Sequence, residues 1–433
     1  MEIESAIGLA LIGVCVVLLV GGLWIAIGLA AIGLVSVHYF LPAPMIRMVE
    51  VIPYNALDSF ILAAIPMFIF MGNLLFKGDI AAKIYTGLSK WVSILPGGLL
   101  QTNVAACAVF GACSGSSLAG AATIGGIATR ELCKQGYEKK LVYGSLASSG
   151  TLATMIPPSI HFILYGSFAN ESVGKLFLAG FLPALILILL FMAYIMVRAI
   201  LNPDIGPRIS RPTFGEVLVS MKDLIAPLFL IAVVMGSIYS GFATPTESAA
   251  VGSVGALLIL VLEGRLKWSI VREAATLSVR TTCMIALMMV GTQFITVSLS
   301  VLQIPAQISA FIGGLPLDPW MIAILVGVFY IFLGAFVEGT SMFFLTFPVM
   351  FPLMMGLGYD PIWFGVVMGL FIEMSLITPP VGLNLFIIQQ VSRETGVGLV
   401  VRGSLPFFAL MVVAMLIFIA FPDLILYVPN LLW

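Results

Sequence analysis

Two double prolines, 222 positions apart, decide the architecture of this chain: Met-Ile-Pro-Pro occupies residues 155–158 and Ile-Thr-Pro-Pro occupies residues 377–380. Each pair lies inside a long apolar stretch. A proline ring lacks a backbone donor and clashes with the preceding helical turn, so each pair breaks its helix. Further motifs repeat at nearly the same offset, namely Gly136-Tyr137 with Gly358-Tyr359, Gly111-Ala112 with Gly334-Ala335, and Leu182-Pro183 with Leu405-Pro406. The chain therefore contains an internal repeat with one broken helix in each half.

The composition is that of a membrane protein. Hydrophobic residues make up 61% of the 433 residues and charged residues only 9%, whereas a soluble domain carries about 25% charged residues. Apolar stretches of about twenty residues recur along the chain, as bilayer-spanning helices require. The sequence therefore predicts an all-α polytopic membrane protein. The net charge of −1 argues against a nucleic-acid partner, and the five cysteines and two histidines show no metal-ligand spacing.

Four segments carry the repeat. We define the first hairpin as residues 101–129, the first broken helix as residues 141–169, the second hairpin as residues 320–355 and the second broken helix as residues 362–390. Ordinary spans are predicted near residues 57–76, 176–200, 224–242, 249–262 and 405–426, with polar connectors at 77–90 and 264–280 and a linker at 202–212. A span over residues 281–302 is predicted to be interrupted near Gly291, and residues 7–40 fit one tilted helix or two short ones equally well.

These segments predict five regions. They are N-terminal scaffold spans and a connector (1–90), the first repeat (91–200), a linker with further scaffold spans and a connector (201–280), the second repeat (281–426) and a C-terminal tail (427–433).

The distribution of basic residues predicts how the two hairpins enter the membrane. If both are re-entrant and open to opposite sides, all of the 19 basic residues except Arg47 and Lys175 fall on one face. Basic loops favour the cytoplasmic side, so this arrangement is preferred over one in which the hairpins are full spans. The first hairpin then opens to the cytoplasm and the second to the periplasm. The two halves are therefore predicted to be inverted repeats, which in transporters meet at a binding site near mid-membrane.

The hairpin tips and broken helices supply the candidate ligands. The tips read Ser114-Gly115-Ser116-Ser117 and Glu338-Gly339-Thr340-Ser341. The prolines free backbone acceptors one turn earlier, so exposed carbonyls are expected near Ala153 and Ile156, with Pro158 contributing its own oxygen. The symmetric set is Ser375, Thr378 and Val381. Hydroxyls and unwound carbonyls suit a hard monovalent cation, whereas half-helix N-termini suit an anion. The remaining polar and proline positions predict substrate contacts at Ser116, Thr154, Ser159, Ser341, Pro379 and Asn384.

Three carboxylates lie in apolar surroundings: Glu247, Glu338 and Glu373. An ionised carboxylate at mid-membrane needs a cation, a partner or a proton, so all three are candidates for ion coupling. For Glu247 a structural bond to backbone amides at the start of a span is an equally good interpretation. Proton coupling through Glu338 or Glu373 remains open beside cation coupling.

Two other classes of function receive less support. Ser114 and His161 could form the Ser-His pair of a hydrolase, but the repeat replaces this serine run with Glu-Gly-Thr-Ser and has no nearby histidine. A channel needs a continuous polar stripe, whereas the polar residues here form isolated clusters. We therefore predict a transporter and not an enzyme.

Four motifs in this order resemble the large membrane subunit of tripartite ATP-independent periplasmic (TRAP) transporters. They are residues 114–125 (Ser-Gly-Ser-Ser-Leu-Ala-Gly-Ala-Ala-Thr-Ile-Gly), residues 149–159, residues 243–250 (Ala-Thr-Pro-Thr-Glu-Ser-Ala-Ala) and residues 378–386 (Thr-Pro-Pro-Val-Gly-Leu-Asn-Leu-Phe). The resemblance covers essentially the whole chain. It implies an ion-transporter-type fold in which a scaffold holds a mobile elevator domain containing both hairpins.

The resemblance also implies two sodium sites. The first would use Ser114 and Ser117 with backbone at Ala153, Ile156 and Pro158; the second would use Gly339 or Thr340 with Ser375, Thr378 and Val381. The chain departs from the family at Ala153 and Ser375, where glycine is expected, and at Gly120, where many relatives carry an acidic or other residue.

By the same resemblance, the protein lies in the bacterial inner membrane as a multi-pass protein surrounded by lipid. It takes up an organic acid, such as a sialic acid or a C4-dicarboxylate, with sodium as the coupling ion. A periplasmic binding protein delivers the substrate, and a small four-helix membrane subunit joins the scaffold as a separate chain.

Overall fold

The fold is entirely helical across the residues that this computed structural model describes, which are 24–40, 47–207, 212–392 and 396–432. The amino-terminal part of the predicted segment 7–40, residues 208–211 of the linker, residues 393–395 and Trp433 lie outside the described residues. Eight helical stretches in the described part are long and apolar enough to cross a membrane. The chain is therefore a multi-pass helical membrane protein.

The helices before the first repeat and between the repeats are α1 (Ile25–Phe40), α2 (Met48–Leu57), α3 (Ala64–Lys77), α4 (Ile80–Val92), α11 (Phe214–Tyr239), α12 (Pro245–Leu262), α13 (Trp268–Val301) and α14 (Ile304–Gly313). The first repeat contains α5 (Leu99–Ser114), α6 (Ser117–Lys134), α7 (Lys139–Gly150), α8 (Leu152–Met155), α9 (Ile160–Ala169) and α10 (Val173–Leu201). The second contains α15 (Pro319–Gly334), α16 (Gly339–Gly356), α17 (Pro361–Ser375), α18 (Leu383–Ser392), α19 (Val397–Ala420) and α20 (Asp423–Leu432).

The two repeats have matching elements. The first hairpin is α5 and α6, of 16 and 18 residues, and the second hairpin is α15 and α16, also of 16 and 18 residues. Both broken helices lose helical geometry at their double prolines and resume as ten-residue helices, α9 and α18. Element order and length thus follow the repeat predicted from the prolines, and the inverted orientation of the halves stays a prediction.

The repeats interlock. Helix α17 of the second repeat packs against α8, α9 and α10, while α18 packs against α6 and α7. Helix α7 also crosses α19, and a Cβ added at Gly144 would overlap the backbone of Gly403. In α17, every residue from Ile362 to Ser375 is buried. Helix α17 therefore forms the centre of the molecule, between its own hairpin and helices of the first repeat.

The remaining spans form a separate layer. Helix α13 packs along α1 and α3, α12 packs on α3, and α11 packs on α4. Ion pairs join the two predicted polar connectors: Lys77 to Glu273 at 2.8 Å, Arg265 to Asp79 at 3.1 Å, and Lys83 to Glu263. These partly exposed pairs hold this layer together at one end, each worth at most about 1 kcal/mol.

The predicted interruption near Gly291 is wrong. Helix α13 runs unbroken from Trp268 to Val301, so most of the predicted connector 264–280 is helical as well. Gly291 instead permits close packing, because a Cβ there would lie 2.6 Å from the backbone nitrogen of Ala30 in α1. At the other end of the chain, residues 427–432 of the predicted tail belong to helix α20, which packs on α10.

We expect Gly144→Ala to destabilise the protein, because the new methyl group must push α7 away from Gly403. Overpacking of this kind lowers the free energy of unfolding by about 1–3 kcal/mol. Gly236→Ala is the matched control, since Gly236 is exposed on a helix and a Cβ added there would have no neighbour within 4 Å. Thermal unfolding in detergent measures both, and equal melting temperatures would contradict the tight crossing.

Candidate functional site

Both hairpin tips open onto one cavity of about 660 Å³. The first tip contributes Ser116 and Ser117, and the second contributes residues 338–341. Thr154 and His161 from the first broken helix, Glu373 from the second and Thr281 of α13 complete the polar part of the wall. The cavity is otherwise lined by apolar residues, chiefly of α1, α9, α13, α16 and α17. It is thus the place where the two repeats meet the outer layer of helices.

The first hairpin tip packs directly on the first broken helix. Gly115 ends α5 with φ of +60°, a left-handed conformation that glycine adopts without strain. A Cβ at this glycine would lie 3.0 Å from the carbonyl oxygen of Pro158, and one at Gly111 would lie 2.6 Å from the Cα of Ala153. The structure therefore brings the predicted backbone ligands of the first cation site beside the Ser114 end of α5.

The side chain of Ser114 is a candidate ligand within this contact. It is buried, and its hydroxyl oxygen has no hydrogen-bond partner among the described residues. A buried polar atom without a partner costs free energy unless something else binds it. A cation held by this oxygen would supply that missing interaction.

The second half contributes a carboxylate to the first tip. The Ser117 hydroxyl donates to Oε1 of Glu373 at 2.6 Å, and it also lies 2.8 Å from the Thr154 hydroxyl. Glu373 is 1% exposed, and its Oε2 has no hydrogen-bond partner among the described residues. One tip, one broken helix and the opposite repeat therefore meet in a single polar cluster.

The second hairpin tip is organised around Glu338. Its carboxylate caps the N-terminus of α16 by accepting from the backbone N–H groups of Thr340 and Ser341, at 3.0 and 3.1 Å. The two hydroxyls also donate to it, at 3.0 and 3.1 Å. A negative side chain is favourable at a helix N-terminus because it satisfies free donors and opposes the positive end of the dipole. Glu338 is thus already bonded by four donors.

The second tip contacts the second broken helix in the way that the first tip contacts the first. Gly334 packs so closely on Ser375 that a Cβ there would overlap the serine side chain, and a Cβ at Gly339 would lie 2.7 Å from the side chain of Ile372. The hydroxyls of Ser375 and Thr378 donate to the carbonyls of Ile372 and Met374. Their oxygen lone pairs remain free to act as acceptors.

Several predicted site residues do not line the cavity. Pro379 is exposed, and Asn384 is buried and donates to the carbonyl of Ala147 at 3.3 Å. Ser159 is buried with a hydroxyl that has no partner among the described residues. The others that the cavity wall does not include are Ser114, Ala153, Ile156, Pro158, Ser375, Thr378 and Val381. Of these, Ala153, Pro158 and Ser375 lie where the tips pack on the broken helices.

Glu247 lies elsewhere. It forms a capping box with Thr244 at the exposed start of α12, where Oε2 accepts from the Thr244 N–H at 2.8 Å and from its hydroxyl at 2.7 Å. It is not among the cavity residues. Of the two interpretations of Glu247, the structure supports the structural one, a bond to backbone at the start of a span.

His161 lines the cavity and makes an edge-to-face contact with Phe343 of the second hairpin, with ring centroids 5.4 Å apart. Its Nε2 and the Ser114 hydroxyl each lack a hydrogen-bond partner among the described residues, so the two do not form a Ser-His pair. Sequence reasoning did not identify Trp24, Thr281 or Phe343 as cavity residues. Trp24 and Thr281 come from segments with no motif, and only the packing of helices brings them to the wall. Phe343 lies two residues after the second tip, where an apolar residue gave no signal of its own.

The charge of the cavity is uneven. Glu338 and Glu373 line it, and no lysine or arginine does so in the part of the chain that the structure describes. A wall that carries carboxylates and hydroxyls favours cations. An anion can enter only where cations or helix N-termini offset these charges.

Comparison with known proteins gives a consistent result. The family described as "Tripartite ATP-independent periplasmic transporter, DctM component" matches residues 12–424. The chain is 34% identical to the C4-dicarboxylate TRAP transporter large permease protein DctM of Pseudomonas aeruginosa, over 92% of both chains. It is 30% identical to the sialic acid TRAP transporter permease protein SiaT of Haemophilus influenzae, over 87% of this chain and 61% of that one.

A third relative is named for a different substrate. The chain is 30% identical to the ectoine/5-hydroxyectoine TRAP transporter large permease protein UehC of Ruegeria pomeroyi, over 86% of both chains. Among solved structures, the YdaH transporter of Alcanivorax borkumensis shares the fold, with a TM-score of 0.61 at 14% identity over 95% of this chain and 99% of that one.

We expect Glu338→Ala to lower the free energy of unfolding by about 1–2 kcal/mol, because four donors at the start of α16 lose their acceptor. Glu338→Gln retains one carbonyl oxygen and should fall between the wild type and the alanine variant. Glu50→Ala, at an exposed position on α2, is the control. Thermal unfolding is the measurement, and an unchanged melting temperature for Glu338→Ala would show that the cap does not stabilise the tip.

Proposed function

We propose, because the chain belongs to the DctM family of tripartite ATP-independent periplasmic transporters, that it carries an organic acid anion inward across the bacterial inner membrane by sodium symport. The observation that carries this proposal is the charge of the cavity, which has two carboxylates and no lysine or arginine among the described residues that line it. An anionic substrate in such a site needs companion cations. Sodium entering with the substrate supplies them and also supplies the driving force.

The two tips provide oxygen ligands suited to sodium. The first cation would be held by the hydroxyls of Ser114 and Ser117 and by carbonyls at Ala153, Ile156 and Pro158. The second would be held by Gly339 or Thr340 with Ser375, Thr378 and Val381. The close contacts of Gly115 with Pro158 and of Gly334 with Ser375 support these groupings, since each joins a tip to its own broken helix. Unwound backbone carbonyls are the usual sodium ligands in such transporters.

The substrate is proposed to bind between the tips. Ser116, Thr154 and Ser341 line the cavity and offer hydroxyls. Glu338 already caps the N-terminus of α16, so companion cations must supply most of the positive charge that a substrate carboxylate needs. Relatives are named for C4-dicarboxylates, sialic acid and ectoine. An organic acid with a carboxylate is the class that fits hydroxyls and companion cations together.

Transport is proposed to follow an elevator motion. The interlocked repeats would move as the transport domain, and the layer of α1, α3, α4, α11, α12 and α13 would stay fixed as the scaffold. The ion pairs that join the connectors of this outer layer support its role as a rigid part. The exposed apolar helix faces of the scaffold suit lipid and a small membrane subunit.

The partners are proposed from the family. A periplasmic binding protein would deliver the substrate, and a separate four-helix membrane subunit would pack on the scaffold. Relatives named DctMQ and SiaT are longer permease proteins, of which this chain spans 64% and 61%.

The second candidate for the coupling ion is a proton. It is favoured by Oε2 of Glu373, which has no hydrogen-bond partner among the described residues and could therefore carry a proton.

The test is uptake by proteoliposomes that contain this chain, the small subunit and the binding protein. We expect an inward sodium gradient to drive accumulation of a labelled organic acid, with potassium in place of sodium giving none. A proton gradient without sodium is the opposing arm. Uptake that follows the proton gradient and ignores sodium would overturn sodium symport in favour of proton coupling.

Ser114→Ala isolates the first proposed sodium site. The Ser114 hydroxyl has no hydrogen-bond partner among the described residues, so its removal costs the apoprotein no such bond. If its oxygen binds sodium, we expect the apparent sodium affinity in uptake to fall about tenfold, equivalent to about 1.4 kcal/mol. The melting temperature without sodium should not fall.

Ser240→Ala, at an exposed position after α11, is the control for this measurement. Equal sodium dependence of Ser114→Ala and the wild type would remove Ser114 from the site.

A further inference from the structure

We propose that Glu373, although it belongs to the second repeat, is the anionic ligand of the first sodium site. The inference rests on the proposed function, because it assigns a residue to one of its two sodium sites. By the 222-residue offset of the repeat, the counterpart of Glu373 in the first half is Thr151, which is not a proposed sodium ligand. Symmetry between the repeats therefore does not predict this role for Glu373. The structure places its carboxylate beside Ser117 instead, across the boundary between repeats.

The first argument is the position of the carboxylate oxygens. Oε1 accepts from the hydroxyl of Ser117 at 2.6 Å, and that hydroxyl lies 2.8 Å from the one on Thr154. Three oxygen-bearing side chains from α6, α8 and α17 thus form a connected cluster. Oxygen-only clusters of this kind match hard cations.

The second argument is that polar atoms at this end of the first hairpin lack partners. Oε2 of Glu373 is buried without a hydrogen bond among the described residues, and so is the hydroxyl oxygen of Ser114. Both residues are more than nine-tenths buried. Groups this deeply buried are normally bonded, and an exception calls for a water, an ion or another ligand.

The third argument is charge. A buried carboxylate must take up a proton or have a positive charge nearby, and the described cavity wall contains no lysine or arginine. The N-terminus of α6 begins at Ser117 and favours a negative group, but its partial charge is about half of one unit. A monovalent cation beside Oε2 neutralises the remainder and gives that oxygen its missing partner.

Other ionisable side chains around α17 do not fill this role. Glu338 at the second tip is negative and is already bonded by four donors. His161 lies one turn of α17 away, where its ring contacts Gly369. Tyr330 is bonded to Thr346. The carboxylate of Glu373 is therefore the anionic group that faces the first tip from the described part of the second repeat.

The assignment predicts a link between the two sodium sites. Glu373 precedes Ser375, a proposed ligand of the second site, by two residues, and its carbonyl accepts from the N–H of Leu376 where α17 ends. A cation that holds the Glu373 side chain at the first tip thus also fixes the backbone at the start of the second break. Sodium binding at one site is expected to favour binding at the other.

The test is sodium binding to the purified protein, read as the rise in melting temperature with sodium chloride against the same ionic strength of potassium chloride. Glu373→Gln retains an oxygen that can accept from Ser117 but lacks the charge. We expect the sodium concentration at half-maximal stabilisation to rise about tenfold or more in this variant. Glu131→Gln, on the exposed end of α6, is the control and should match the wild type.

A double-mutant cycle separates a ligand from a merely structural residue. If Ser117 and Glu373 hold the same ion, the effects of Ser117→Ala and Glu373→Gln on sodium affinity will be non-additive, because residues that share a partner couple. A structural role would lower the melting temperature in potassium and leave the sodium midpoint unchanged. That result, or additive effects on sodium affinity, would overturn the inference.

Glu373→Asp covers the case in which the glutamine variant does not fold. Aspartate keeps the charge at a shorter reach, so it should stabilise with sodium at a midpoint between those expected for the wild type and the glutamine variant. A midpoint equal to that of the wild type would count against Glu373 as a ligand. Failure of the wild type itself to respond to sodium would overturn the proposed sodium symport, whereas a sodium response that Glu373 variants share would overturn only this inference.

Discussion

A backbone that leaves helical geometry within a membrane must be enclosed by protein or face a water-filled cavity, because lipid offers no hydrogen bonds. This constraint bears on the position of both broken helices. The buried run from Ile362 to Ser375 lies between its own hairpin and helices of the first repeat, and α18 beyond the break packs on α6 and α7. The first break in turn lies under the Ser114 end of α5. The first break is therefore covered by protein, whereas Pro379 and Pro380 at the second break are exposed and must face water rather than lipid.

Much of this arrangement could be predicted from the sequence. The double prolines located both breaks, because the effect of proline on a helix is local. Short runs of glycine and hydroxyl residues located both hairpin tips, because the conformational freedom of glycine is also a local property. The contact between Ser117 and Glu373 could not be predicted, since it joins positions 256 residues apart and depends on how the repeats interlock. No local pattern indicates this contact, because a lone acidic residue in an apolar helix does not identify its partner.

The errors have physical causes. Gly291 suggested a break in α13, but glycine serves two purposes in membrane helices, flexibility and close packing, and here it packs against α1. Glu338 illustrates a missed signal, because its cap was not predicted, whereas the cap at Glu247 was one of the two interpretations of its sequence. Each precedes or begins a helix and each caps it, and the short spacing to Thr244 or to Thr340 and Ser341 is typical of such caps. Intramembrane acidity alone did not separate the cap residues from Glu373.

The hydrogen bond between Ser117 and Glu373 also bears on how such a repeat can diverge. Two copies of a motif can accumulate substitutions independently as long as each copy meets its own partners. Once a side chain of one copy is bonded inside the other, a change at either position alters the environment of both. Substitutions in the two halves of this chain are therefore not independent. A change at position 117, 154 or 373 is expected to alter the effect of a change at the other two.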